Sequence, residues 1–318
     1  LVKMTSWSAD QKSPYGKIVE VFGNPEDNNV EMRSILANKG FTTGFQRVVE
    51  REAEQIPLEI SKEEIAKRKD FRDVLTFTID PADAKDFDDA LSFRKLENGN
   101  IQVGVYIEDV THYIKPGSAL DEEAINRATS VYLVDRVIPM LPERLSNGVC
   151  SLRPNEEKLC FAAVFEIDND AKVLSTWIGR TVIYSDKRFT YEDVQETIEA
   201  KDGLYVDEIL QLNALAKKLR DTRMNEGSIS FDRVEVRFKL DEHGDPDGVY
   251  FKEQKDAHKL IEDFMLLANR SVALYVSKLE RKDKTFVYRI HDDPDPDKIS
   301  AFSQFISRFG YKVDENRV

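Results

Sequence analysis

The sequence predicts an α+β fold, with strands concentrated in the first half of the chain and long helices in the second. Short runs in which polar and apolar residues alternate, the pattern of half-buried strands, lie mostly before residue 185, with one more at 229–240. Apolar residues recur with helical spacing in 207–224 and 256–279. At 318 residues the chain exceeds the usual size of a single hydrophobic core, so we expect one large domain and one smaller domain.

We predict that residues 1–60 form the smaller domain and its linker. A turn is expected around Pro14-Tyr15-Gly16, where turn-forming residues separate two β-like runs. Ser61 and Glu64 have the spacing of a capping box, which opens a helical turn, and residues 61–318 form the larger domain. The expected elements of the smaller domain are a strand before the turn, a strand at 17–22, and helices near 29–38 and 43–54.

The larger domain begins with strands and ends with helices. Asn98-Gly99 between two apolar runs is a strong hairpin signal. The apolar stretch 131–142 contains Pro139 and Pro142, which forbid a regular helix. Asp295-Pro296 is a suitable N-cap and first-turn pair for a last helix. The expected strands are 74–79, 90–93, 101–107, 159–167, 173–184 and 229–240, and the expected earlier helices are 118–130, 207–224 and 256–279.

Composition excludes several classes of protein. No apolar run approaches membrane-spanning length, and no signal peptide is visible, so we expect no membrane partner. Cys150 and Cys160 lack the spacing of a metal site, which favours a reducing cytoplasm. The net charge of −13 argues against a generally basic nucleic-acid binder. It does not exclude a buried basic channel, because net charge says nothing about distribution.

Five aspartates within ten positions stand between two apolar, strand-like runs. They are Asp80, Asp83, Asp86, Asp88 and Asp89. So much negative charge repels itself unless a cation lies among the carboxylates. Mg²⁺ is the natural candidate, because it binds a few carboxylate oxygens and keeps open positions for water and phosphate. Phosphoryl-transfer enzymes hold metal ions with such clusters.

Two other interpretations of the aspartate cluster are weaker. A solvated acidic turn is the usual fate of a run of charges. A calcium loop of the EF-hand type would need acids where Ala82 and Ala84 stand, and no glycine follows at the required place. Lys85, the one cation within the cluster, more simply pairs with a neighbouring aspartate than takes part in catalysis.

The segment Asp80-Pro-Ala-Asp-Ala-Lys-Asp-Phe-Asp-Asp89 resembles the signature of the RNase II/RNase R family of processive 3′→5′ exoribonucleases. The ordered agreement covers most of the chain from residue 71 onward and is closest to the RNase R branch. Residues 1–60 resemble the later part of a cold-shock (OB-type) barrel, and 61–318 a mixed RNB-type catalytic domain truncated at its C-terminal end. The agreement continues in 106–113, 129–132, 138–142, 145–154, 227–231, 257–265 and 288–292.

The resemblance implies a role for particular residues. Asp80, Asp86 and Asp89 would belong to the Mg²⁺ site, and Asp88 would be the acid most directly required for cleavage. The implied RNA-binding residues are Tyr132, which stacks on the terminal base, Phe231, its partner aromatic, and Glu262 on a channel-lining helix. Stacking suits an enzyme that must hold any base, because every base offers a π-face. From the residues alone, core packing explains Tyr132 nearly as well and Phe231 better.

The resemblance implies a cytoplasmic, monomeric enzyme that hydrolyses single-stranded RNA from the 3′ end to nucleoside 5′-monophosphates. The alternative is a non-catalytic RNA-binding homologue, against which the complete set of four aspartates speaks. The arginine motif that follows the last helix in this family has no counterpart before residue 318. The C-terminal RNA-binding barrel and the first cold-shock domain are also missing. We therefore expect the chain to be a fragment, with the activity belonging to its parent protein.

Overall fold

The computed structural model describes residues 1–10, 12–25, 27–229, 235–242, 246–279, 285–290 and 292–313. The chain divides into two compact units, Leu1–Val272 and Ala273–Val318. Strands and helices are mixed along the chain, so the predicted α+β class is confirmed. No helix in the described ranges has the length and apolar character needed to cross a membrane.

The regular elements are numbered in chain order. The strands are β1 Val2–Ser6, β2 Tyr15–Ile18, β3 Lys69–Asp70, β4 Thr76–Asp80, β5 Asp89–Lys95, β6 Ile101–Glu108, β7 Val131–Tyr132, β8 Val137–Ile138, β9 Glu156–Ile167, β10 Val173–Ser185, β11 Lys187–Thr190, β12 Glu235–Leu240 and β13 Pro246–Lys252. The helices are α1 Asn28–Asn38, α2 Arg47–Glu54, α3 Lys62–Ile65, α4 Val110–Tyr113, α5 Ala119–Arg127, α6 Tyr191–Ala200, α7 Val206–Asn225, α8 Asp256–Ser277 and α9 Pro296–Ser307, with a π-helical turn at Leu145–Val149.

A seven-stranded sheet in the order β11-β4-β5-β6-β9-β10-β3 forms the frame of the larger unit. Its inner pairs are antiparallel, whereas β11 and β3 at the two edges run parallel to their neighbours. Every residue of β4 is buried, because both faces of the sheet are covered. Strand β4 ends at Asp80 and β5 begins at Asp89, so the aspartate loop connects two neighbouring strands.

Successive side chains of the central strands β5, β6 and β9 alternate between two apolar clusters. On one face Leu91 and Phe165 pack in a cluster with Phe264 of α8. On the other face Ala90 and Tyr106 belong to a second cluster. The long apolar runs of the sequence therefore belong to a sheet that is covered on both sides.

Three local predictions in the first 60 residues are wrong in their bounds. The turn predicted around Pro14-Tyr15-Gly16 overlaps β2, which pairs antiparallel with β1. The predicted strand at 17–22 stops at Ile18, because β1 supplies pairing partners only as far as Leu1, whose carbonyl accepts the N–H of Val19 at 2.9 Å. The helix expected from residue 43 begins at Arg47 instead.

Three strong local signals in the sequence, two helix caps and one hairpin, lie where they were predicted. The capping residue Ser61 accepts a hydrogen bond from the N–H of Glu64, and Asp295 caps α9 by accepting from Asp297 and Lys298. Gly99 takes a φ of 83° in the predicted hairpin between β5 and β6, a conformation that few other residues adopt. The predicted strand at 229–240 is only partly covered, since residues 230–234 lie outside the described ranges.

Candidate functional site

Asp80 and Asp89 lie where two neighbouring strands separate. The antiparallel pairing of β4 with β5 is confined to the far end, at Thr76 and Phe77, so the strands diverge before they reach the aspartates. Asp80 is only 7% exposed and its Oδ2 accepts a hydrogen bond from the Thr78 hydroxyl at 2.5 Å. The divergence leaves room between the strand ends for the loop 81–88.

Hydrogen bonds hold the second half of this loop. The N–H of Phe87 donates to the buried Ser151 hydroxyl at 2.9 Å, and the Phe87 carbonyl accepts from the N–H of Leu152 at 2.8 Å. The carbonyl of Asp88 accepts from the N–H of Glu108 at 3.1 Å. The backbone of the loop is thus fixed by two different parts of the chain.

The carboxylates of the loop are close enough to change one another's pKa. The pKa of Asp80 is raised to about 7, first by burial and then by the charges of Asp89 and Asp88, against the hydrogen bond from Thr78. Burial and the charge of Asp88 raise the pKa of Asp89 to about 6. The pKa of Asp88 is raised by burial and by Asp86. The four predicted acids therefore form one electrostatically coupled group.

This group is not a ready-made metal cage. Within the described part of the chain, no three His, Cys, Asp or Glu side chains are arranged so that they could hold a metal ion. The chemistry of the donors nevertheless fits Mg²⁺, which prefers carboxylate oxygens. Burial, and to a smaller extent the neighbouring carboxylates, raises the pKa of Asp80 and of Asp89, so a bound cation would favour their ionised forms. The assignment of Asp80, Asp86 and Asp89 to the metal stays a prediction.

Glu108 is a fifth acid of this group that sequence reasoning missed. It stands opposite Asp88, because β5 pairs with β6 with Asp89 against Ile107. Burial raises the pKa of Glu108 to about 8, with Asp88 and Asp86 adding to the effect and Lys158 opposing it. Its Oε2 is buried and has no hydrogen-bond partner within the described structure. Only the strand register reveals this neighbour, since Glu108 is 20 positions from Asp88.

Tyr132 extends from the hairpin of β7 and β8 into solvent. Its side chain is 67% exposed, so the core-packing interpretation is wrong. Partial burial raises the pKa of Tyr132, and the charges of Asp86 and Asp88 contribute. An exposed ring within electrostatic range of the aspartates is available to a ligand at that site. Its stacking on a base stays a prediction.

The other two predicted RNA contacts differ in how far they can be placed. Phe231 lies outside the described residues. Glu262 is exposed on α8, one turn after His258, whose ring stacks on Tyr191 at a centroid distance of 4.1 Å. Burial raises the pKa of Tyr191 to about 12, and Asp89 and Asp80 contribute. The start of α8 therefore packs against a tyrosine that lies within electrostatic range of the aspartates. No described contact joins Glu262 itself to them.

Comparison with known proteins matches two families along the chain. Residues 68–317 match the RNB domain family, and residues 1–46 match the cold shock domain family. The chain is 39% identical over 321 residues to Ribonuclease R of Thermotoga maritima, covering 98% of this chain and 45% of that protein. It is 32% identical over 333 residues to a protein of Arabidopsis thaliana named Inactive exonuclease DIS3L2, covering 98% of this chain and 31% of that protein.

A solved structure shows the same fold. Mycoplasma genitalium RNase R in complex with double-stranded RNA matches with a TM-score of 0.89 and 27% identity, covering 96% of this chain and 55% of that one. The chain thus spans less than half the length of the two curated relatives above. The prediction of an RNB-type domain preceded by cold-shock structure is confirmed. Because the RNB domain match covers most of the chain, this protein belongs to the RNB-domain family.

Proposed function

We propose that the parent protein is a magnesium-dependent 3′→5′ exoribonuclease that degrades single-stranded RNA to nucleoside 5′-monophosphates. The observation that carries the proposal is the coupled group of Asp80, Asp86, Asp88 and Asp89 at the diverging ends of β4 and β5. Membership of the RNB-domain family and the similarity to proteins named Ribonuclease R support it. A cytoplasmic location and a monomeric state are further parts of the proposal.

Different residues of this chain would have different roles in RNA cleavage. Asp80, Asp86 and Asp89 would hold Mg²⁺, which when bound polarises the phosphate and activates water. Asp88 is more exposed than Asp80 and would orient the attacking water and hold its proton. Tyr132 would hold the terminal base against its exposed ring, and Phe231 and Glu262 would complete the contacts to RNA. Stacking is independent of base identity, which suits degradation of any sequence.

A non-catalytic RNA-binding homologue is the second candidate. The relative named Inactive exonuclease DIS3L2 supports this second candidate, because the chain is 32% identical to that protein over 333 residues. The four aspartates argue for activity, since a binding protein has no need to keep repelling carboxylates together. The two candidates make opposite claims about turnover.

Incubating the full-length parent protein with 5′-labelled oligo(A) and Mg²⁺ tests the proposal. We expect a ladder of shortened products that collapses to a short limit product, and we expect chelation of the metal to stop it. Retained RNA binding without any shortening would favour the non-catalytic homologue. Release of the 5′ label as a mononucleotide before any shortened labelled product appears would contradict cleavage from the 3′ end.

Replacing Tyr132 with Ala in the parent protein is expected to lengthen the limit product while long RNA is still degraded. Loss of base stacking should weaken binding of short oligonucleotides by about 1–3 kcal/mol. The free energy of unfolding should change by less than about 0.5 kcal/mol, because the ring is exposed. Tyr132→Phe keeps the ring and should behave like the wild type. An unchanged limit product in the Ala variant would remove Tyr132 from RNA binding.

A further inference from the structure

We propose that Arg188 is a positioning residue that fastens the aspartate loop to the edge of the sheet and thereby sets the arrangement of its carboxylates. The inference rests on the proposed function. Arg188 is remote from the loop in sequence, 99 positions after Asp89, and no sequence motif singles it out. Its place is decided by the pairing of β11 with β4.

Strand register places Arg188 beside the buried end of β4. Strand β11 runs parallel to β4, with Arg188 paired to Thr78 and Thr190 paired to Asp80. Thr78 and Asp80 are two residues apart and therefore point to the same face of the strand. The hydrogen bond between their side chains shows the same relation directly. Arg188 thus lies at the same edge of the sheet as Asp80, the one buried member of the aspartate cluster.

The guanidinium group of Arg188 contacts the loop at both ends. Its Nη2 donates to the carbonyl of Pro81 and, at 3.1 Å, to the carbonyl of Ala82. At the other end of the loop, its centre lies 5.5 Å from the centroid of the Phe87 ring, within cation–π range. Phe87 is the residue whose backbone is held by Ser151 and Leu152. One side chain therefore joins the start of the loop to its fixed second half.

The neighbouring cation does not share this role. Lys187 is exposed, and its ammonium group lies 5.8 Å from the centroid of the Phe189 ring. No described hydrogen bond joins Lys187 to the loop. A general need for positive charge at this edge would be met by either residue, whereas the two carbonyl contacts belong to Arg188. Both carbonyl contacts come from one nitrogen, Nη2, so a lysine at 188 would keep the charge and a donor nitrogen but would lose the planar guanidinium that lies over the Phe87 ring.

The test compares Arg188→Met, Arg188→Lys and the matched control Lys187→Met in the full-length parent protein. The readouts are kcat and KM for a long single-stranded RNA, the Mg²⁺ concentration giving half-maximal rate, and the rise in Tm on adding Mg²⁺. We expect Arg188→Met to lower kcat by about tenfold to a hundredfold, the cost of misplacing reacting groups by roughly an ångström. KM should change by less than about threefold, the Mg²⁺ requirement should rise, and the Tm shift should shrink.

Each outcome either supports or contradicts a positioning role for Arg188. Arg188→Lys should recover part of kcat, and Lys187→Met should match the wild type in every readout. A lower Tm with unchanged kcat and unchanged Mg²⁺ response would make Arg188 merely structural, and a change confined to KM would make it an RNA contact. If Arg188→Met fails to fold, wild-type kcat and Mg²⁺ response in Arg188→Lys would overturn the proposal. An inactive wild type would instead defeat the proposed function, and the Mg²⁺-dependent Tm shift would still report on Arg188.

Discussion

Replacing Asp88 with Asn in the full-length parent protein is expected to reduce turnover of single-stranded RNA by about 10²- to 10⁴-fold, the range that a positioned acid or base contributes. The substitution keeps the size and shape of the side chain and removes its charge. Asp88 is more exposed than Asp80, so we expect the fold to tolerate the substitution. RNA binding should survive, because removing negative charge does not weaken contact with a phosphate backbone.

Single-turnover cleavage and equilibrium binding of the same labelled RNA measure the two effects separately. Asp83→Asn is the matched control, because Asp83 is exposed in the same loop and has no predicted role in the site. A variant at position 88 that cleaves at nearly the wild-type rate would remove Asp88 from the mechanism. Loss of folding would show that its role is structural.

Without metal, the stability of the folded chain is expected to fall as pH rises from about 4 to 7, because of Asp80. In the unfolded chain this carboxyl group ionises near 3.8, whereas in the folded chain its pKa is about 7. Between these values the folded state binds more protons than the unfolded state, so raising the pH favours unfolding. A difference of about three pKa units corresponds to on the order of 4 kcal/mol.

Asp80→Asn should weaken this pH dependence, since an amide does not ionise and its oxygen still accepts from Thr78. The part that comes from Asp89 and Glu108, whose pKa values are also raised, to about 6 and about 8, should stay. Thermal unfolding from pH 4 to 8 in a chelating buffer measures the effect, again with Asp83→Asn as the control. Added Mg²⁺ should stabilise the wild type at pH 7 by mass action and stabilise the Asn variant less. Equal Mg²⁺ stabilisation of both proteins would remove Asp80 from the metal site. An Asn variant with the same pH dependence as the wild type would contradict the pKa argument.

Local signals predicted the elements whose formation depends on nearby residues. Helices α7 and α8 were placed to within about two residues, because their apolar stripes extend over many turns. Strands β9 and β10 were found because both are long and β-prone. The first 22 residues were placed less well, since the extent of a strand there depends on what its partner strand offers.

The candidate site, too, could be predicted only in part from the sequence. The density of aspartates in residues 80–89 was visible in the sequence, because charge crowding within ten positions needs no fold to be recognised. Whether Tyr132 faced the core or solvent could not be decided from its apolar neighbours. The hairpin of β7 and β8 decided it, by holding the ring outside the core.

By itself the sequence determined the α+β class, the strongest helices and strands, and the loop that carries the acids. Only the tertiary structure decided what surrounds that loop. Glu108 stands opposite Asp88 through the register of β5 and β6, and Arg188 grips Pro81 through the parallel pairing of β11 with β4. The physical reason is that propensity and charge crowding act between near neighbours in the chain. Strand register depends instead on the packing of both sheet faces, which joins residues far apart in sequence.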